Sequence, residues 1–256
     1  MDVKVKVGVC GIPRRLELLA STLDIVEVQE TFYRPRPDKY KAWRLKAGNL
    51  EFTVKAWFLI THGLNKMLLK KSKLDVGKPG YSGDDYGGLK PTKPNMEALE
   101  EVFRSAKALH ARIIVFQTPP SFKPDHPFEI AEFFNTVVRE GYIPVWEIRG
   151  STIRYLREIK EITKTTEGLV IATDILKMPP LEYAADILYT RLHGLGSGTV
   201  NYRYKYTKDD LILLKDRVNW YMSEYKKETG YILFNNIYMY DDALLFKNIL
   251  IREKSY

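Results

Sequence analysis

Residues 95–117, NMEALEEVFRSAKALHARIIVFQ, change their period part-way along. From Asn95 onward Leu99, Val102, Phe103, Ala106 and Leu109 recur at the spacing of one helix face, with Asn95 suited to cap it. From Ile113 the chain is apolar without a break until Gln117, as a short strand covered on both faces requires. A helix feeding such a strand is half of a parallel βαβ unit.

Working outward, the same alternation fills the chain. Strands are predicted at residues 3–9, 25–29, 52–56, 113–117, 143–147, 169–173, 188–193 and 231–235. Helices are predicted at 128–140, ending at Gly141, at 151–163 and at 241–252. Thr207 and Asp210 form a capping-box pattern ahead of Leu211, Leu214, Val218 and Met222, with Gly230 placed to end that helix. No Asn-Gly or Asp-Gly turn joins neighbouring strands. The fold class expected is α/β, a single (β/α)8 TIM-type barrel over residues 1–256. One stretch breaks the rhythm: Gly77 to Pro94 holds five glycines and three prolines, and it follows the third strand. It is expected to be an irregular loop on the carboxyl-end face, a lid or a disordered insertion.

Composition bounds the rest. The chain has 256 residues, 45% of them hydrophobic, enough for one substantial core. No apolar run reaches the roughly 20 residues of a membrane helix, and the start Met1-Asp2-Val3-Lys4-Val5 lacks a secretory pattern, so a cytoplasmic protein without membrane partners is expected. The one cysteine, Cys10, rules out an intrachain disulfide and a cysteine-based metal cluster, and reads as a packed thiol. A net charge of +8 favours anionic partners, a phosphate-bearing small molecule or nucleic acid. Lysines mixed with acids, as in Glu224-Tyr225-Lys226-Lys227-Glu228, read as solvated faces rather than a nucleic-acid surface. Nothing in the sequence sets an oligomeric state.

Barrels of this type build their sites at the carboxyl ends of the strands. Here those ends are polar: Glu27 and Gln29, then Lys55 with His62 beyond it, Gln117, Glu147 with Arg149, Asp174, Arg191 with His193, and Asn235 with Asn236. Residues two apart on a strand share a face, so Glu27 with Gln29, Glu147 with Arg149, and Arg191 with His193 each point the same way. A structural ion-pair network would give the same residues as a ligand site. His193 is the leading candidate for proton exchange, with Glu147, Glu27, Lys55 and His62 as further catalytic candidates. Arg149 and Arg191 are anion clamps, and Gln117, Asp174, Asn235 and Asn236 ligand contacts. Gly194 and Gly196, in Gly194-Leu195-Gly196-Ser197-Gly198, suit a phosphate-binding turn. Tyr202 and Tyr204 are candidate stacking residues, whereas Phe32 and Trp43 read as core. A divalent metal is chemically compatible with these groups but not signalled, because no His-Glu-x-x-His or His-x-His pattern occurs. Glu27 and Glu147 also suggest a glycosidase-like acid and nucleophile, a reading that turns on their separation.

The ordered motifs Val26-Glu27-Val28-Gln29-Glu30-Thr31-Phe32-Tyr33, Val54-Lys55-Ala56 with Thr61-His62, Phe116-Gln117-Thr118-Pro119-Pro120-Ser121-Phe122, Glu147-Ile148-Arg149, Asp174, Arg191-Leu192-His193-Gly194, Tyr202-Arg203-Tyr204 and Phe234-Asn235-Asn236 resemble the domain of unknown function 72 family, also called YecE-like proteins. The resemblance runs to about Asn248 and implies a barrel with its site at the mouth, without an assigned activity. Two departures stand out: Gln29-Glu30 replaces the family's usual Asn-Ser, and Gly150 and Ile153 replace the His and Trp that usually follow Glu-x-Arg. The functional expectation is an enzyme of hydrolase or phosphoesterase type acting on a phosphate-containing ligand such as a nucleotide or nucleic acid. The alternatives are a non-catalytic binding protein for such ligands and a carbohydrate-active hydrolase.

Overall fold

The computed structural model describes residues 4–73, 82–179, 185–196, 198 and 200–253. Val3, residues 77–81 of the Gly/Pro-rich stretch and Ser197 of the glycine turn lie outside them.

Strands and helices alternate in the predicted order: β1 (Lys4–Cys10), α1 (Leu16–Thr22), β2 (Ile25–Val28), α2 (Glu30–Tyr33), α3 (Pro37–Lys46), β3 (Glu51–Lys55), α4 (Phe58–Thr61), α5 (Lys66–Ser72), α6 (Lys93–Leu109) and β4 (Ile113–Gln117). There follow α7 (Pro127–Arg139), β5 (Ile143–Glu147), α8 (Leu156–Thr165), β6 (Val170–Ala172), β7 (Ile187–Leu192), α9 (Lys208–Glu224), β8 (Thr229–Phe234) and α10 (Met239–Glu253). All neighbouring strands are parallel, in the order β6-β5-β4-β3-β2-β1-β8-β7. The seam between β6 and β7 is joined by one bridge, Thr173 to Thr190, where the Thr190 hydroxyl donates to the Thr173 carbonyl at 2.6 Å. The sheet is therefore a nearly closed barrel, the architecture read from the alternation.

Two cores follow from strand alternation. Outward residues such as Val9, Val26, Phe52, Ile114, Phe116 and Trp146 pack under the helices, while Ile25, Ile113, Val115, Val145, Tyr189 and Leu233 fill the interior. Toward the amino ends the interior closes on polar contacts, where Lys6 meets Glu51 and Tyr231. Among the described residues no helix is long and apolar enough to cross a membrane.

Three local expectations are corrected. Asn95 does not cap α6: the helix begins two residues earlier, behind Thr92, and the buried Asn95 amide clamps both the N–H and the carbonyl of Gly87. Gly230 does not end α9, which stops at Glu224; it is a β8 residue whose missing side chain leaves room for Met222 Sδ. The single helix expected at 151–163 is a 3-10 turn at Gly150–Arg154 followed by α8. The capping box at Thr207 and Asp210 is present.

Cys10 is the packed thiol anticipated, 3% exposed, with burial and the nearby Glu27 pushing its pKa up. We expect no reaction with a disulfide reagent such as DTNB in the native protein and full reaction in denaturant. Rapid native labelling would show that the interior opens far more readily than its packing implies.

Candidate active site at the barrel mouth

The polar strand ends meet. Arg191, 1% exposed, donates through Nη2 to Glu27 Oε1 at 2.8 Å and through Nη1 to Glu147 Oε2. Gln117 Oε1 accepts from the same Nη1 at 3.3 Å. Glu27 also accepts from Gln29 and, at 3.0 Å, from the Tyr189 hydroxyl. On the other side Glu147 Oε1 accepts from Arg149 Nε at 2.9 Å. Each same-face pair read from the sequence therefore joins one network, and two buried carboxylates are matched by two guanidiniums. Burial alone would push the Glu147 carboxyl up, but Arg191 and Arg149 outweigh it and hold it well below the usual carboxylate range.

His193 sits at the edge of this network with its Nε2 2.6 Å from Arg149 Nη2. A guanidinium has only protons to give, so Nε2 is the acceptor, the proton lies on Nδ1 and the ring is neutral. Burial, against the pull of Glu147, lowers its pKa to about 3. The 3.3 Å approach of Nε2 to Glu147 Oε1 is accordingly not an ion pair. With Nε2 occupied, His193 is not poised as a base in this arrangement, a revision of its expected role.

Above the network lies a cavity of about 360 Å³ lined by Glu147, Arg149, Asp174, Lys177, Met178 and His193 among others. Asp174 Oδ2 accepts the His193 backbone N–H at 3.0 Å and Oδ1 that of Leu176 at 3.2 Å. Burial raises the Asp174 pKa in spite of these bonds. Lys177, which sequence reasoning missed, follows Asp174 in the turn after β6, its backbone N–H bonded to the Asp174 carbonyl at 2.9 Å. Its ammonium donates to the Gly198 carbonyl at 3.3 Å.

Lys55 and His62 are not among the residues lining the cavity. Lys55 Nζ lies 4.2 Å from the centroid of the buried Phe32 ring and 3.5 Å from Gln29 Oε1. His62 packs edge-on to Phe32 and contacts the Thr61 hydroxyl through Nδ1 at 2.8 Å; burial, then Lys55, lower its pKa to about 4. The described part of the Gly/Pro-rich stretch docks beside it, with Gly87 against Gly63 and Leu89 buried.

Several expected ligand contacts are committed elsewhere. Tyr204 donates to Asp210 at 2.7 Å, and the Asn236 amide donates to the Tyr204 carbonyl and to Asp242, so both brace the loop instead of facing the mouth. Gly194 does not offer its N–H to an oxyanion, because the Tyr206 hydroxyl accepts it at 2.8 Å. Asn235 is half-buried at the end of β8, and Gly196 turns with φ 111°. Tyr202 remains exposed with its ring 6.1 Å from that of His193, beside the cavity. The Gly194 backbone, at φ 79°, admits no side chain: a Cβ would lie 2.2 Å from the Asn201 carbonyl oxygen. Gly194→Ala is expected to cost about 1–3 kcal/mol and displace this loop, seen as a lower melting temperature. An unchanged melt would show that the loop does not depend on that turn.

Among the described residues no three His, Cys, Asp or Glu side chains converge as a metal would require. A family model described as a protein of unknown function, DUF72, matches residues 9–253. The chain belongs to the DUF72 family. A DUF72 protein from Thermotoga maritima is 21% identical and superposes with a TM-score of 0.63 over 97% of this chain and 99% of its own. One from Enterococcus faecalis is 14% identical, with a TM-score of 0.65 over 97% and 98%. Endonuclease IV from Thermus thermophilus, 14% identical, gives 0.54 over 98% and 100%. These likenesses speak for the fold. A comparison with curated proteins gives no match.

Proposed function

We propose that this DUF72 protein is an enzyme of phosphoesterase type whose substrate seats a phosphate group in the mouth cavity, between Arg149 and Lys177. The observation that carries the reading is the placement of Arg149 and Lys177, with His193 and Asp174, around one open cavity, Arg149 being a member of the network in which two guanidiniums match two carboxylates. An incoming anion meets the Lys177 ammonium and the Arg149 guanidinium there, while the carboxylates on the wall are engaged, Glu147 by the two guanidiniums and Asp174 by two backbone N–H groups.

The geometry supports a coupling between binding and chemistry. A phosphate that draws Arg149 toward itself withdraws the donor from His193 Nε2 and leaves that nitrogen 3.3 Å from Glu147 Oε1. Removal of a neighbouring cation raises an imidazole's pKa, so His193 becomes a competent base only with substrate in place. Asp174, its proton affinity raised by burial, is the second proton carrier on the cavity wall. Likeness to endonuclease IV in fold is consistent with a phosphodiester substrate but adds no residue to the argument.

A panel of phosphate mono- and diesters, with and without added divalent cations, tests the reading. Turnover of at least one ester is expected, falling roughly 10²–10⁴-fold in His193→Ala. Undiminished turnover in that variant contradicts it. Saturable binding without turnover points instead to a phosphate-binding protein, a second reading favoured by the locked state of His193. The glycosidase reading is not supported: Glu147 is held ionised, and Glu27 is ion-paired to Arg191 and is not among the residues lining the cavity, so neither is placed as a general acid.

A further inference from the structure

Resting on the phosphate seat between Arg149 and Lys177, we propose that the ester this cavity takes is that of an apolar, ring-sized alcohol or phenol and not that of a sugar or polyol. The cavity, about 360 Å³, falls in the range of roughly 300–1,000 Å³ typical of small-molecule sites, more than a phosphate group alone fills. Apolar side chains lie next in the chain to both cations: Ile148 precedes Arg149, and Met178 follows Lys177. Ile153 and Val200 line the same cavity.

Strand alternation explains the first part of this wall. Glu147 and Arg149 share the inward face of the chain leaving β5, so Ile148 between them turns to the core beneath the helices, against which Ile153 also packs. Met178 and Val200 have no such place. Both are half-buried, yet among the described residues neither belongs to or packs against either core. Tyr202 is exposed beside them, its ring 6.1 Å from that of His193. Apolar side chains gathered outside the cores at the edge of a cavity present surface that the apolar part of a ligand can cover.

The polar groups of the wall favour the same occupant. Glu147 is engaged by two guanidiniums, Asp174 by two backbone N–H groups and His193 Nε2 by Arg149, while the Thr173 hydroxyl is buried out of a ligand's reach. A ligand hydroxyl taken out of water needs an acceptor for its proton, and one left unmatched weakens binding. A hydrocarbon ring makes no such demand. The Met178 thioether, polarisable and adaptable, suits contact with an aromatic face.

The experiment titrates the intact protein by calorimetry with methylphosphonate, benzylphosphonate and dihydroxybutylphosphonate. All carry a phosphate-like head group, and none has an ester bond to cleave. Benzylphosphonate is expected to bind at least about tenfold more tightly than either of the others, because it alone buries a hydrocarbon ring. Met178→Gln, close to the original in length and shape, should remove most of that advantage while leaving methylphosphonate binding nearly unchanged. Equal affinity for the methyl and benzyl compounds, or a preference for the dihydroxy compound, overturns this proposal and leaves the phosphate seat standing. A benzyl advantage that survives Met178→Gln overturns it too, because the ring then lies elsewhere. Failure of all three to bind removes the phosphate seat itself, and this proposal with it.

Discussion

Arg191→Met is expected to destabilise the protein by about 3–5 kcal/mol at pH 7, roughly 10 °C in melting temperature, the largest single loss the structure implies. The cost is not the worth of the salt bridges as such. It arises because Glu27 and Glu147 stay buried after the guanidinium they share is gone, and Glu147 keeps only Arg149. Replacing all three, with Glu27→Gln, Glu147→Gln and Arg191→Met together, should recover much of the loss, because a neutral cluster leaves no uncompensated charge.

The pH dependence has a definite sign. In the wild type the folded Glu147 carboxyl lies below its unfolded value of about 4.3, so its contribution is complete above that pH and is lost as pH falls through the lowered value. His193 and His62, lowered to about 3 and 4, likewise stabilise fully above about 6.5 and give up that contribution as pH falls toward those values. In Arg191→Met the stranded carboxyls can take up protons instead, so its deficit relative to wild type should shrink between pH 7 and pH 4. Thermal melts at pH 4, 5 and 7 check this. A deficit independent of pH would mean that lost packing, not stranded charge, governs the effect.

Arg149→Ala is expected to weaken the binding of phosphate esters by about 10- to 100-fold, from the loss of charge-assisted hydrogen bonds worth about 1.5–3 kcal/mol. The same substitution removes the proton donor on His193 Nε2, so the imidazole pKa should rise, readable in the NMR titration of that ring. The two readouts must move together: weaker binding without a shift in His193 would break the link between clamp and base. Lys177→Ala should weaken binding while raising the His193 pKa less than Arg149→Ala does, because Lys177 is the smaller of these two cationic influences on the ring and the Arg149 contact stays in place.

The barrel was legible because parallel strands covered on both faces are written as short apolar runs, and polar residues mark where each emerges. Strand ends differ by a residue or two where alternation gives no edge, as at Ile187 and Thr229. The same-face pairs of the site were legible for the same reason. Tyr189 lies two residues before Arg191 on one strand, so the same alternation puts it on the face that meets Glu27. What a local pattern does not carry is contact across the barrel. Asn95 reads as a helix cap, yet its amide serves the backbone of Gly87, and the Gly194 amide is taken by Tyr206, twelve residues on. Lys177 carries no motif: only closure of the β6–β7 seam brings the turn after Asp174 against His193 and Gly198.

The most direct test of the mouth as an anion site is a crystal soaked in tungstate, a phosphate mimic visible by anomalous scattering. A tungsten peak is expected inside the cavity, within hydrogen-bond reach of Arg149 and Lys177, and should disappear in Arg149→Ala. Peaks confined to surface lysines, with the cavity holding none, would contradict it.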